Sequence, residues 1–174
     1  MIETNNEEMT LQERLLVEYR NAIRGMLNSD KFSRIENSSP KHAAIIIEEM
    51  IKKADHSFCA VAQRMNPVVW SPRVIDALTK ATARGVAVSI LVMASGASGE
   101  LSHLANIPAN LRSHIRRAAS PDAMDFNFAI MDSRAVRVEH DVKNDRATFC
   151  VNEPELTDLA QTKFNSLYEA GTTI

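Results

Sequence analysis

Residues 71–93, SPRVIDALTKATARGVAVSILVM, decide the fold class. Ser71-Pro72 reads as a helix start. A hydroxyl residue caps free amides, and proline at the first helical position has a φ already suited to it. The helical pattern runs to about Ala83 and stops at Arg84-Gly85. Val86 to Met93 is then an almost unbroken apolar run rich in Val and Ile. Such a run fits a strand buried on both faces, as in parallel sheets covered by helices. Upstream, SFCAVAQ (Ser57 to Gln63) is a second short apolar run, and a loop with Asn66-Pro67 follows it. Strand, helix, strand in that order predicts a parallel pair joined by a right-handed crossover.

Working toward the N-terminus, Ser39-Pro40 repeats the cap signal and opens a helix carrying Ala43, Ala44, Ile46, Ile47, Met50 and Ile51 inward. Lys52-Lys53 ends it, with positive charge at the negative end of the helix dipole. Ser33 to Pro40 reads as a polar connector. Before it, Leu11, Leu15, Leu16, Tyr19, Ile23, Met26 and Leu27 form one apolar stripe of a helix over residues 9–28, ended by Asn28-Ser29-Asp30. Residues 1–8 read as a frayed tail.

Toward the C-terminus, residues 94–107 are small and polar, a loop or a short helix around Glu100 to Ala105. Leu111 to Ala118 fits a strand or a short helix. Phe126 to Met131 and Ala135 to Glu139 read as two strands split by Asp132-Ser133-Arg134, and Ala147 to Val151 as another. A last helix opens at Asn152-Glu153-Pro154 and ends at Gly171. The order α-α-β-α-β-(α/β)-β-β-β-α predicts an α/β protein: a mixed sheet flanked by helices, with antiparallel additions behind the parallel pair. Residues 1–39 form a tail, amphipathic helix and connector, and residues 40–174 the α/β domain.

The 174 residues suffice for one domain with a real core, and 45% hydrophobic with 24% charged residues is ordinary globular composition. A formal charge of −2 argues against a dedicated polyanion binder. No run approaches the ~20 apolar residues of a membrane span, and the acidic N-terminus has no secretory pattern, so a cytoplasmic location is expected. Cys59 and Cys150 read as buried reduced thiols that fit neighbouring strands without implying a disulfide. His42, His56, His103, His114 and His140 show no ligand spacing, so no metal is expected, and no cofactor. Ser95 to Gly99 lacks both the Lys-Ser/Thr ending of a P-loop and a dinucleotide fingerprint.

Several phrases together resemble the phospholipase D superfamily. A helix feeds the strand HSFCAVAQ. An A-x-x-R-G-V-x-V-x-I-L phrase follows on Ala81, Arg84, Gly85, Val86, Val88, Ile90 and Leu91. The chain closes with Phe164, Leu167, Tyr168 and Ala170 or Gly171, similar to the family's F-x-x-L-[WY]-x-x-[AG]. The resemblance covers about residues 40–171 and implies one half of that fold, with one signature per chain. The signature H-x-K-x-x-x-x-D falls on DFNFAIMD: Asp125 stands in the place of the nucleophilic His, Asn127 of the Lys and Asp132 of the Asp. The Gly-Ser-x-Asn phrase is absent, with Glu139-His140 near its place. In the family the His attacks phosphorus and the Lys neutralises phosphate charge. An anionic Asp125 repels a phosphodiester, and Asn127 offers only a neutral hydrogen bond.

The resemblance therefore implies a catalytically inactive module, a homodimer that acts as a scaffold or as a subunit of a larger protein assembly. Its ligand is expected to be a partner protein or a phosphate-bearing molecule. Two alternatives stand beside it. One is nucleic-acid binding by Arg112, Arg116 and Arg117 around His114, with Arg134 and Arg137 near in order; the plain reading of such a charge run is a solvated face. The other is a phosphodiesterase with a displaced His, His114 or His140. His114-Ile115-Arg116 imitates H-x-K, but the acid due at fixed spacing falls on Pro121, with Asp122 one place late.

Overall fold

A computed structural model describes residues 9–63, 65–93, 107–120 and 126–174. Helix α1 (Leu11–Asn28) begins in a capping box: Thr10 Oγ1 accepts from the Glu13 amide, while the Glu13 carboxylate accepts from the Thr10 amide. Strand β1 (Ser33–Asn37) follows, then α2 (Pro40–Lys53), β2 (Ser57–Ala62), α3 (Pro72–Ala83) and β3 (Ala87–Val92). A short helix α4 (Ala109–Arg112) leads to β4 (Ile115–Arg117). The chain closes with β5 (Asn127–Met131), β6 (Ala135–Asp141), β7 (Arg146–Val151), α5 (Pro154–Ala170) and β8 (Thr172–Thr173).

The eight strands make one sheet in the order β1-β7-β6-β5-β2-β3-β4-β8. β2, β3 and β4 are parallel, and all other pairs are antiparallel. The parallel pair expected from residues 57–93 is β2 and β3, in register from Ser57↔Ala87 to Ala62↔Val92. Its crossover helix α3 ends at Gly85, whose φ of +88° suits glycine. One face of the sheet, through Phe58, Ala60, Ile90, Ala129 and Phe149, packs against α1, α2 and α3. The other, through Cys59, Val61, Leu91, Phe128 and Cys150, is covered by Ala160 and Phe164 of α5.

Several expectations are corrected. The connector read over residues 33–40 is in part strand β1, held by β7 from Ser33↔Val151 to Asn37↔Ala147. Its alternating polar residues suit an edge strand. Residues 111–118 hold both the end of a helix and a strand. Ser71 occupies the N-cap, but its side chain makes no capping bond. The two cysteines are free and buried, yet β6 and β5 lie between their strands. Gly171 ends α5 at a φ of −76°, so positive φ is not its reason. A Cβ there would lie 2.9 Å from the Arg117 carbonyl oxygen and 3.0 Å from Leu91 Cδ1. Glycine lets the chain turn tightly into β8, a strand the sequence reading missed.

The α1 stripe is covered fully only toward its C-terminal end, with Leu16 and Tyr19 partly buried before it. Ile23 and Leu27 are buried, whereas Leu11 and Leu15 are exposed. Helix α2 is buried further round than its stripe suggests, because α1 lies over it. Ile45 is buried and Ala44 only half-buried, and Glu48 and Glu49 are buried as well. Those two carboxylates are met by arginines from neighbouring helices. Arg20 of α1 bonds both, Arg24 Nε donates to Glu49 at 2.7 Å, and Arg73 of α3 reaches Glu48 at 3.3 Å. The tail over residues 1–8, the loop over 94–106 with its Gly96, Gly99 and His103, and Pro121 to Asp125 lie outside the described residues.

Candidate functional site

In open α/β sheets, ligands bind beyond the carboxyl ends of the parallel strands. In this chain that edge carries a polar cluster set by strand register. β5 runs antiparallel to β2, so its first residue, Asn127, stands beside the end of β2. Across to β6, Asn127 pairs with Glu139 and Ala129 with Arg137. Paired residues share a face, so Asn127, Arg137 and Glu139 all project to the side covered by α1 and α2.

Their bonds interlock. The Gln63 amide donates to Asn127 Oδ1 at 2.6 Å, and Asn127 Nδ2 donates to Glu139 Oε2 at 2.6 Å. Arg137 Nη2 lies 3.6 Å from Glu139 Oε1 and donates to Asn37 Oδ1 at 3.3 Å. Arg137 is 3% exposed, and its Nε–H has no acceptor; Tyr19 Oη on α1 is likewise buried without a partner. Burial pushes the Arg137 guanidinium down from its ordinary value, opposed chiefly by the Glu139 charge. The Tyr19 phenol is pushed up to about 12 by burial, with Arg137 pulling the other way.

Beside this cluster opens a cleft of about 470 Å³. Asn127, Arg137, Glu139 and Asp145 form its polar part, while Ile47, Met65, Pro67, Trp70 and Val142 give it apolar walls. The volume falls within the ~300–1,000 Å³ typical of small-molecule sites. No histidine, and no cation besides Arg137, lines it among the described residues.

The other candidates are dispersed. Asp132 sits at the far end of β5, about 17 Å from Asn127 at strand rise. It accepts from the amides of Asp55 (2.9 Å), His56 (2.9 Å) and Ser57 (2.7 Å), and so ties the start of β2 to the β5–β6 turn. His114 precedes β4 at that same far edge, with Nδ1 3.1 Å from the Val88 carbonyl oxygen. His140 lies next to Glu139 but points to the other face, 3.6 Å from Glu36. Strand β4 stands three places from β5, about 14 Å at sheet spacing. Arg116 there donates to the Tyr168 carbonyl oxygen at 2.9 Å and stacks 4.4 Å over the Tyr168 ring. Arg112 Nε donates to the Ile107 carbonyl oxygen, and Arg117 pairs through its backbone with Thr172. Arg134 closes the end of α1 by donating to the Leu27 and Ser29 carbonyl oxygens. The arginines grouped by sequence are thus spread over the fold. Asp125 lies outside the described residues.

Glu139 is not among the site residues expected from the sequence, and Arg137 is expected there only as one of a basic group. The available signal was the strand pattern AVRVEHD: with Ala135 facing the core, period two turns Arg137 and Glu139 inward as well. Among the described residues, no group of His, Cys, Asp and Glu is placed to hold a metal ion. No described helix is long and apolar enough to cross a membrane.

No family model matches the sequence, and no curated protein does. Solved structures do. Nuc, a phospholipase D family member from Salmonella typhimurium, is similar with a TM-score of 0.62 at 22% identity, over 83% of this chain and 99% of that one. NucT from Helicobacter pylori follows with 0.60 at 13% identity, over 83% and 100%. TrmBL2, described as an archaeal chromatin protein with a novel mode of DNA binding, has a TM-score of 0.62 at 15% identity, over 94% of this chain and 62% of that one. At these identities the likeness is one of fold: a mixed α/β sheet flanked by helices, like that of phospholipase D family members.

Proposed function

We propose that this chain is a binding module on a phospholipase D-like fold that carries out no phosphodiester chemistry. In this reading it acts as a homodimeric scaffold or subunit, with the Asn127–Glu139–Arg137 cleft as its ligand site. One observation carries the proposal: both ends of the Asn127 amide are committed, one to the Gln63 amide and one to the Glu139 carboxylate. The resemblance puts Asn127 where the family keeps its phosphate-neutralising lysine. An amide held against an anion cannot offset the charge of an attacked phosphodiester. The displaced-histidine alternative loses support from the same geometry, since His114 lies at the opposite edge and His140 faces the opposite side.

The test is hydrolysis of bis(p-nitrophenyl) phosphate and of a single-stranded oligonucleotide. No turnover above buffer is expected. Turnover that co-purifies with the protein and disappears in His114→Ala or His140→Ala overturns the proposal. Light scattering after size exclusion tests the dimer: twice the 19.3 kDa chain mass is expected, and a strict monomer at micromolar concentration refutes it.

Nucleic-acid binding is a second reading, favoured by one observation, the DNA binding named for the archaeal chromatin neighbour. Affinity of that kind comes mostly from neutralised phosphates. A formal charge of −2 and the bonds of Arg112 and Arg116 to carbonyl oxygens weigh against it. A low-salt gel shift decides: retention that Arg117→Ala weakens supports this reading, and no retention removes it.

A further inference from the structure

Charge and an aromatic wall together say what the cleft prefers. Among the described residues lining it, one guanidinium faces two carboxylates, Glu139 and Asp145, so the lining carries a formal charge of −1. Glu139 is buried, accepts from Asn127 and lies 3.6 Å from the Arg137 guanidinium, yet each carboxylate oxygen has a further lone pair to offer. Asp145 stands half-exposed in the β6–β7 turn with a φ of +55°, at the mouth of the same cleft. Arg137 is 3% exposed, so it presents little of its charge to the cleft. Trp70 supplies an aromatic wall that is neither fully buried nor free of the core.

These features select by chemistry. A phosphate or carboxylate ligand would have to approach two like charges in a partly desolvated space, which disfavours it strongly. An ammonium or amidinium group is attracted by the same two carboxylates. An aromatic face beside it favours a cation or a flat apolar body.

We infer that the cleft binds a small organic cation, an amine or amidine with a flat apolar body. The cationic group lies against Glu139 and Asp145, and the apolar body lies against Trp70 and Met65. This rests on the reading of the cleft as a ligand site, and it reverses the sign of the phosphate-bearing ligand that the family resemblance suggests.

Trp70 is the single tryptophan, so intrinsic fluorescence reports directly on the cleft. The probes are L-phenylalaninamide, which has ring, ammonium and carbonyl, and 3-phenylpropanoate, which has the same ring with a negative charge. Inorganic phosphate is the third. A probe of about twelve heavy atoms at ~0.3 kcal/mol per atom gives a dissociation constant on the order of a few millimolar. L-phenylalaninamide is expected to saturate the Trp70 signal in that range, with the two anions at least tenfold weaker by about one lost charge contact each. Glu139→Gln should weaken the cation about tenfold or more, and Asp145→Asn less. Asn tolerates the positive φ at position 145, so that variant keeps the test valid should Glu139→Gln fail to fold. Equal or tighter binding of 3-phenylpropanoate or phosphate overturns the inference, as does a cation response unchanged in Asp145→Asn and in folded Glu139→Gln. No response to any probe overturns it too. None of these results restores hydrolysis, so failure here is distinguishable from failure of the non-catalytic reading, which only turnover of a phosphodiester shows.

Discussion

Asp132 is the signature-like residue whose role can be weighed most directly, by removing its carboxylate in three ways. The carboxylate accepts from three consecutive amides: Oδ2 from Asp55, and Oδ1 from His56 and Ser57. Hydrogen bonds to a charged group contribute about 1.5–3 kcal/mol each when buried and less when water can substitute. Two of these three bonds are exposed, so the set is worth about 2.5–4 kcal/mol. Position 132 also sits at a φ of +50°, where Asp and Asn are tolerated and Ala costs a further ~1–2 kcal/mol. Three variants separate the two contributions. Asp132→Asn keeps the acceptor shared by His56 and Ser57 and loses about 1–2 kcal/mol. Asp132→Gly loses all three bonds and no φ preference, about 3 kcal/mol. Asp132→Ala loses both, about 4–5 kcal/mol, a large part of the 5–15 kcal/mol typical of a domain. The assay is equilibrium urea unfolding. With m near ~2 kcal/mol/M, the Ala variant should unfold at about 2 M less urea than wild type. A midpoint within ~0.25 M of wild type refutes the structural role, and a Gly variant less stable than Ala refutes the backbone part of the argument.

Three further outcomes follow from the packing of helices and edges. Glu49→Gln leaves Arg20 and Arg24 facing a neutral amide and should destabilise by about 2–3 kcal/mol, reading out as early proteolysis within α1; an unchanged urea midpoint contradicts it. Its neighbour Glu48 would be raised by burial, but bonds from Lys52 and Arg20 and their charges hold its carboxyl below the ordinary value. That stability is complete above the ordinary carboxylate range and is lost as pH falls through the lower folded value, so Glu48→Gln should flatten the acid limb of the stability curve. His42, stacked 4.1 Å from Tyr19, is pushed below its usual pKa by burial. Its contribution is therefore full above about pH 6.5 and declines as pH drops from there, and His42→Phe should abolish that step in Tm against pH. Gly171→Ala brings a Cβ to 2.9 Å from a backbone oxygen, so it should cost about 1–3 kcal/mol and speed amide exchange in β4 and β8; wild-type exchange would show that the turn yields freely.

The parts of the fold legible in the sequence are those written in local periodicity and caps. The run Val86 to Met93, the helix signals at Ser39-Pro40 and Ser71-Pro72, and the split at Asp132-Ser133 all concern neighbours within a few residues. β1 and β8 were missed because their pairing partners, β7 and β4, are remote in the chain. The site divides in the same way. Asn127 was singled out by the resemblance to the family signature, while antiparallel register sets Glu139 opposite it across twelve residues. The basic group at 112–137 looked continuous because the chain lists its members together, and the sheet order sends them to opposite edges.

By itself, the sequence determined the alternation of helices and strands and the parallel pair at the centre, because amphipathic period and capping are properties of consecutive residues. Tertiary structure alone decided which of the described side chains share the cleft. Strand order and register bring distant residues within bonding range, and burial then settles which of their charges must be matched by a neighbour and which donor is left open.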